Sequence, residues 1–228
     1  MLSVVSEAVS EGMLFSAICA PSRFHTAKTR NGQEGSPLNE PPIIVTVEEA
    51  CAVICGWFGW KDDLGGSQII LPFAVPQGIQ IVNRRLGRLW LEDGNIFDSQ
   101  DTLISPHRYE ARPDGVVPMI WENQGVWACG FKPETGAQLW VTGDWPDQSG
   151  ARVWRPTQDV VDTAIIFVML ANVIWASADC QMDEGEKPTD VSRLLWKAPW
   201  PGFSGFWMND DQTLMRMQGL GWGVTARR

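Results

Sequence analysis

The groups in this 228-residue chain that could do chemistry are two histidines, His25 and His107, five cysteines and 27 acidic residues. Two histidines far apart in sequence leave little for a general base or a nucleophilic triad. His107 follows Pro106 in a loop, the ordinary place for a surface imidazole. Cys51 and Cys55 lie four apart on a predicted helix and share a face, but a metal site there lacks further ligands at zinc spacing. They read as buried apolar side chains. No GxGxxG, Walker, GxSxG or HExxH pattern occurs, so no cofactor and no metal is implied and the chain is expected not to be an enzyme. Two carboxylates converging in a cleft would be the sign of the opposite.

Acidic residues gather on turns. Glu122 stands on one, Asp183, Glu184 and Glu186 form a charged loop, and Asp210 and Asp211 form another. Neither loop has the spacing of a calcium site. With a net charge of −9, the chain is not expected to bind nucleic acid, whose phosphates require a basic patch. The cluster Arg84, Arg85 and Arg88 reads as the solvated face of a helix. An acidic surface would instead steer a basic protein partner. Five scattered cysteines do not make a disulfide framework and suggest a reducing compartment, the cytoplasm. The first 20 residues lack a basic n-region, and Glu7 and Glu11 interrupt their apolar run, which speaks against export. The apolar stretch 164–176 contains Asn172 and is too short to span a bilayer, so it is expected to be a buried helix. Thirteen Trp against one Tyr supply large apolar area with one N–H each, mostly for a core.

These groups need elements to hold them. Residues 1–42 read as an extension, a helix-like segment and a polar linker, ahead of a domain over 43–228. Thr46, with Glu48 and Glu49 behind it, starts a helix running to about Trp57, carrying Val47, Cys51, Ile54 and Phe58. Pro76 starts a second, with Ile79, Val82 and Leu86, which Gly87 ends. From there short strands are predicted: 88–91 and 95–97 about the turn 92–94, then 116–121 and 126–131 about 122–125, then 139–141. A helix is expected from Thr157, capped by its hydroxyl behind Pro156 and aided by Asp159. Residues 181–192 read as a loop, and 203–208 with 213–217 as a closing hairpin ending near Val224. The whole is an α+β domain, a β-sheet meander packed against helices.

The hairpin is the most distinctive part. Its turn, Glu122-Asn123-Gln124-Gly125, combines residues that accept left-handed backbone angles with side chains that can bond nearby backbone. Residues 115–131, Gly-Val-Val-Pro-Met-Ile-Trp-Glu-Asn-Gln-Gly-Val-Trp-Ala-Cys-Gly-Phe, resemble the central signature of the SUKH superfamily, which includes Smi/Knr cell-wall regulators and bacterial immunity proteins. Glu122, Asn123, Gln124, Gly125 and Trp127 carry the match. The order of elements over 44–225 fits less specifically. The resemblance implies a SUKH-like, non-catalytic α+β domain that binds a cognate protein toxin, encoded beside it and often a nuclease, in a polymorphic-toxin system. A regulatory or scaffolding protein of the Smi/Knr type is the alternative. For a toxin, Glu122, Asp183, Glu184, Glu186, Asp210 and Asp211 are the candidate contacts.

Overall fold

A computed structural model describes residues 42–61, 64–91, 96–143, 153–183, 191–200, 205–219 and 222–228. Residues 1–41 of the extension, the turn 92–94 with Asn95, residues 203–204 of the closing hairpin, and Glu184 and Glu186 lie outside them.

Helix α1 (Val47–Phe58) begins where its sequence requires. The Thr46 hydroxyl accepts the Glu49 amide at 3.2 Å, and the Glu49 carboxylate reaches back to the amides of Val45 and Thr46 at 2.8 and 2.9 Å. This reciprocal box satisfies amides that the helix itself leaves open, and those bonds hold the Glu49 carboxyl below its usual range. Gly59 ends the helix at φ 66°, a conformation that disfavours a Cβ. Helix α2 (Gln77–Leu86) follows Pro76 and stops at Gly87. Glu48 of α1 pairs with Arg84 and Arg85 of α2 at 3.0 and 3.4 Å. On so exposed a surface the pairs set register more than they add stability.

Helix α2 has no side-chain cap of its own. Asp162, in the first turn of α3 (Val161–Ala176), accepts the Gly78 amide instead, and burial raises its carboxyl while that bond opposes the rise. A Cβ on Gly78 would stand 2.2 Å from Asp162 Oδ1. Asp162→Ala is therefore expected to lower stability by about 1 kcal/mol, as loss of a helix cap does. Gly78→Ala should cost a similar amount by pushing the carboxylate aside. In urea melts the double variant should lose less than the sum of the two, because both remove one bond; strict additivity would reject the cap.

Helix α3 is apolar all round because it is surrounded. Ile165, Val168, Met169, Leu170, Val173 and Ile174 are fully buried, and the helix touches α1, α2 and strands of both sheets. No helix among the described residues is long and apolar enough to cross a membrane.

The first sheet is a meander, β1 (Thr102–Leu103), β2 (Val117–Trp121), β3 (Ala128–Phe131), β4 (Gln138–Thr142) and β5 (Arg155–Val160), in chain order. The second holds β6 (Asp179–Asp183), β7 (Arg193–Trp196), β8 (Gly205–Met208), β9 (Leu214–Gly219) and β10 (Trp222–Arg227), in the order β6-β10-β9-β8-β7. Both are antiparallel throughout. The architecture is α+β, with two sheets where one meander and a hairpin were expected. The amides of Ile43 and Ile44 donate to the Leu194 and Leu195 carbonyls, so the chain entering α1 runs along the β7 edge.

Three sequence expectations are corrected. Residues 88–91 and 96–97 are not strands: Gly87–Leu91 and Ile96–Asp98 are 3-10 turns that bury Leu89, Ile96 and Phe97, with Trp90 stacked on Phe97 at 4.4 Å. The helix expected from Thr157 begins at Val161. Thr157 sits in β5, its hydroxyl on the Leu139 carbonyl, and Asp159 accepts the Trp200 indole N–H at 3.1 Å. Pro156 is tolerated there because β5 pairs on one side only. Residues 181–183, expected in a loop, extend β6 along β10.

Candidate functional site

The hairpin tip is built from within and from below. In the turn between β2 and β3, the Gly125 amide donates to the Glu122 carbonyl at 2.9 Å and the Glu122 amide to the Trp127 carbonyl at 3.2 Å. Gly125 takes the left-handed angle, φ 74°. The Glu122 carboxylate folds back over the turn and accepts the amides of Gln124 and Val126 at 3.0 and 2.8 Å. The side chain that shapes the loop is thus Glu122, where Asn123 and Gln124 were expected to do it. The side chains of Asn123 and Gln124 are exposed, while Trp127 is buried behind them.

Beneath the tip lies a polar cluster inside the core. Asn172 of α3 is fully buried. Its Nδ2 donates to the Asp101 carbonyl at 2.6 Å, and its Oδ1 accepts the amides of Asp101 and Gln100 at 3.0 and 3.3 Å. Ser99 adds a bond to the Asn172 carbonyl at 2.7 Å. The segment 99–101 is thereby fixed to the central helix, and Asp101 Oδ1 accepts the Asn123 amide at 3.3 Å. Burial pushes the Asp101 carboxyl up to about 7; the Asn123 amide lowers it and the Glu122 charge raises it.

The remaining sequence candidates stand apart from this tip. Asp183 ends the edge strand β6, opposite Gly223 in the other sheet. Asp210 and Asp211 are exposed on the β8–β9 turn. Asn209 builds that turn, its Oδ1 accepting the amides of Thr213 and Leu214 at 2.9 Å each, and Asp210 accepts the Ser192 hydroxyl at 3.0 Å. His107 is exposed and lies 3.3 Å from the Ser67 hydroxyl. Cys51 and Cys55 are buried in α1, and burial pushes the Cys51 thiol up to about 12, far from a reactive thiolate. Among the described residues no group of three or more His, Cys, Asp or Glu is placed to hold a metal ion.

An open groove of about 460 Å³ runs between residues 68–75 and α2. Its walls include Ile69, Leu71 and Phe73, and its one charged group among the described residues is Arg84, already paired with Glu48. That lining offers no acid–base pair.

Sequence reasoning missed Asp101 entirely. Asn172 was visible as the polar residue within an apolar helix, which is the signal of a buried polar contact. Arg216 of β9 was also missed: it is 2 % exposed, and a Cβ on Gly223 would stand 2.5 Å from its guanidinium. Comparison of the chain with protein-family models, with curated proteins and with solved structures finds no match.

Proposed function

We propose that the chain is a SUKH-like binding protein of the bacterial cytoplasm that neutralises a cognate toxin, encoded beside it, through protein–protein contact and without catalysis. The observation that carries this reading is the turn 122–125, the same residues that carry the family resemblance. Its backbone is closed by Glu122, and it presents the Asn123 and Gln124 side chains to solvent. A recognition loop fixed before binding loses less entropy on complex formation than a mobile one. The net charge of −9 favours encounter with a basic toxin domain. Glu122, a candidate contact from sequence, serves the turn, so Asn123 and Gln124 take over that role. Asp210 and Asp211 remain contacts of second rank, on the other sheet.

The test is co-expression with the product of the adjacent gene. The protein should restore growth of cells making that product and co-purify with it. Replacing both Asn123 and Gln124 with Ala should leave the melting temperature within about 2 °C, as exposed substitutions do, and weaken capture at least tenfold. A neighbouring product that is neither toxic nor retained defeats the proposal.

A further inference from the structure

Asp101 is an unusual seat for a hairpin. Asp101 as a residue is 4 % exposed, and the one hydrogen-bond donor to its carboxyl among the described residues is the Asn123 amide at 3.3 Å. A carboxylate so buried is ordinarily stabilised by several donors or by a cation. Here α3 contributes Asn172, whose carboxamide is spent on backbone groups. The single charged residue of α3, Asp162, lies about 15 Å along the helix axis from Asn172. Strands β1 and β2 carry no charged residue. The turn Ile96–Asp98 brings Asp98, which accepts the Thr102 hydroxyl, and the turn Gly87–Leu91 behind it brings Arg88. Of all these, the charge that acts on Asp101 is Glu122, of the same sign.

We propose that Asp101 and the turn 122–125 form a proton-operated latch. With the Asp101 carboxyl neutral the turn sits on the segment held by α3; when the carboxyl ionises, the carboxylate is driven towards water and Asn123 leaves its seat. The latch is a property of this chain alone and stands whether or not the partner is a toxin. The direction follows from linkage. The seated carboxyl titrates at about 7, and a solvated aspartate at about 3.9. The seated state is therefore favoured most below the lower value, loses that advantage as pH rises through the window between them, and changes no further above it. Exposed turns presenting Asn123 and Gln124 would thus differ in shape between mildly acidic and mildly alkaline conditions.

The experiment uses the full chain. The carbon chemical shift of the Asp101 carboxyl, followed by NMR against pH, should move with a midpoint close to 7. Amide hydrogen exchange at Asn123 and Gln124, corrected for the intrinsic pH dependence, should lose at least about tenfold protection between pH 5.5 and 8, the equivalent of one pKa unit. Asp101→Asn keeps an acceptor for the Asn123 amide but cannot titrate, so its protection should be flat over that range. Glu122→Gln should move the Asp101 midpoint down by removing the like charge, and it serves as the test variant if Asp101→Asn does not fold. An Asp101 midpoint near 4, or the same corrected pH dependence in Asp101→Asn as in the native chain, overturns the latch.

Discussion

Replacing Asn172 with Leu is expected to destabilise the protein by about 3–5 kcal/mol. Leu branches as Asn does and is the larger side chain, so the loss does not come from a cavity. It comes from the partners left behind. The Asp101 amide, the Asp101 carbonyl and the Gln100 amide all bond to the Asn172 carboxamide, at 3.0, 2.6 and 3.3 Å. An unsatisfied buried polar group costs about 1–3 kcal/mol, and the apolar gain of Leu recovers only part of three such losses. For a chain of this length the melting temperature should drop by roughly 10 °C. Ile165→Val, a deletion on the same helix at another fully buried site, should cost only about 1 kcal/mol. If Asn172→Leu is as stable as the native chain, water has entered to serve those backbone groups, or the segment 99–101 is not fixed by α3. The effect should also reach the hairpin, because Asp101 supports Asn123. Asn172→Leu and Asp101→Asn are therefore expected to be non-additive.

The same residue shows what a sequence reveals and what it withholds. Asn172 stands out because every residue around it from 164 to 174 is apolar and buried. Nothing in the chain says that its partner lies 71 positions earlier, since a polar contact has no period to read. Helix α1 was legible because its capping box is local: Thr46 and Glu49 are three residues apart. The hairpin was legible because Glu-Asn-Gln-Gly is turn chemistry between two apolar runs, although which side chain folds back depends on geometry. Short apolar runs were not legible. Residues 88–91 and 96–97 lack the length to separate a strand from a 3-10 turn, and packing decided the matter, Gly87–Leu91 against α2 and Ile96–Asp98 against α3. Residues 181–183 of β6 read as loop because an edge strand needs no apolar face on its open side, and Asp179, Gln181 and Met182 are all exposed. The split into two sheets was likewise hidden. It depends on β10 pairing with β6 across the intervening β7, β8 and β9, a contact that strand-by-strand reading cannot supply.

Gly205→Ala is expected to be the most damaging of the small substitutions, at about 3 kcal/mol or more, and the comparison with Gly136→Ala isolates the reason. Both glycines have positive φ, 121° and 67°, so an alanine at either is strained by about 1–3 kcal/mol. At Gly136 the added Cβ meets nothing within 4 Å. At Gly205, the first residue of β8, it would stand 2.2 Å from the Trp196 carbonyl oxygen and 3.2 Å from Lys197 Cα. Those are backbone atoms of the neighbouring strand and its continuation, with no flexible end to swing aside. They lie where the β7–β8 ladder already shifts register between Leu194 and Trp196. Relief would require β7 to move away from β8, and β7 carries Leu195, Trp196 and the bonds from Ile43 and Ile44 that bring the chain into α1. The strain should therefore spread from one turn to the edge of the sheet and the start of the first helix. Thermal melts should place Gly205→Ala at least about 5 °C below Gly136→Ala, from the entropy of unfolding at this size. Exchange at the Ile43 and Ile44 amides should rise in Gly205→Ala and not in Gly136→Ala. Equal melting temperatures for the two would mean that β7 yields freely, and that the second sheet is held by β8, β9 and β10 without its outer strand.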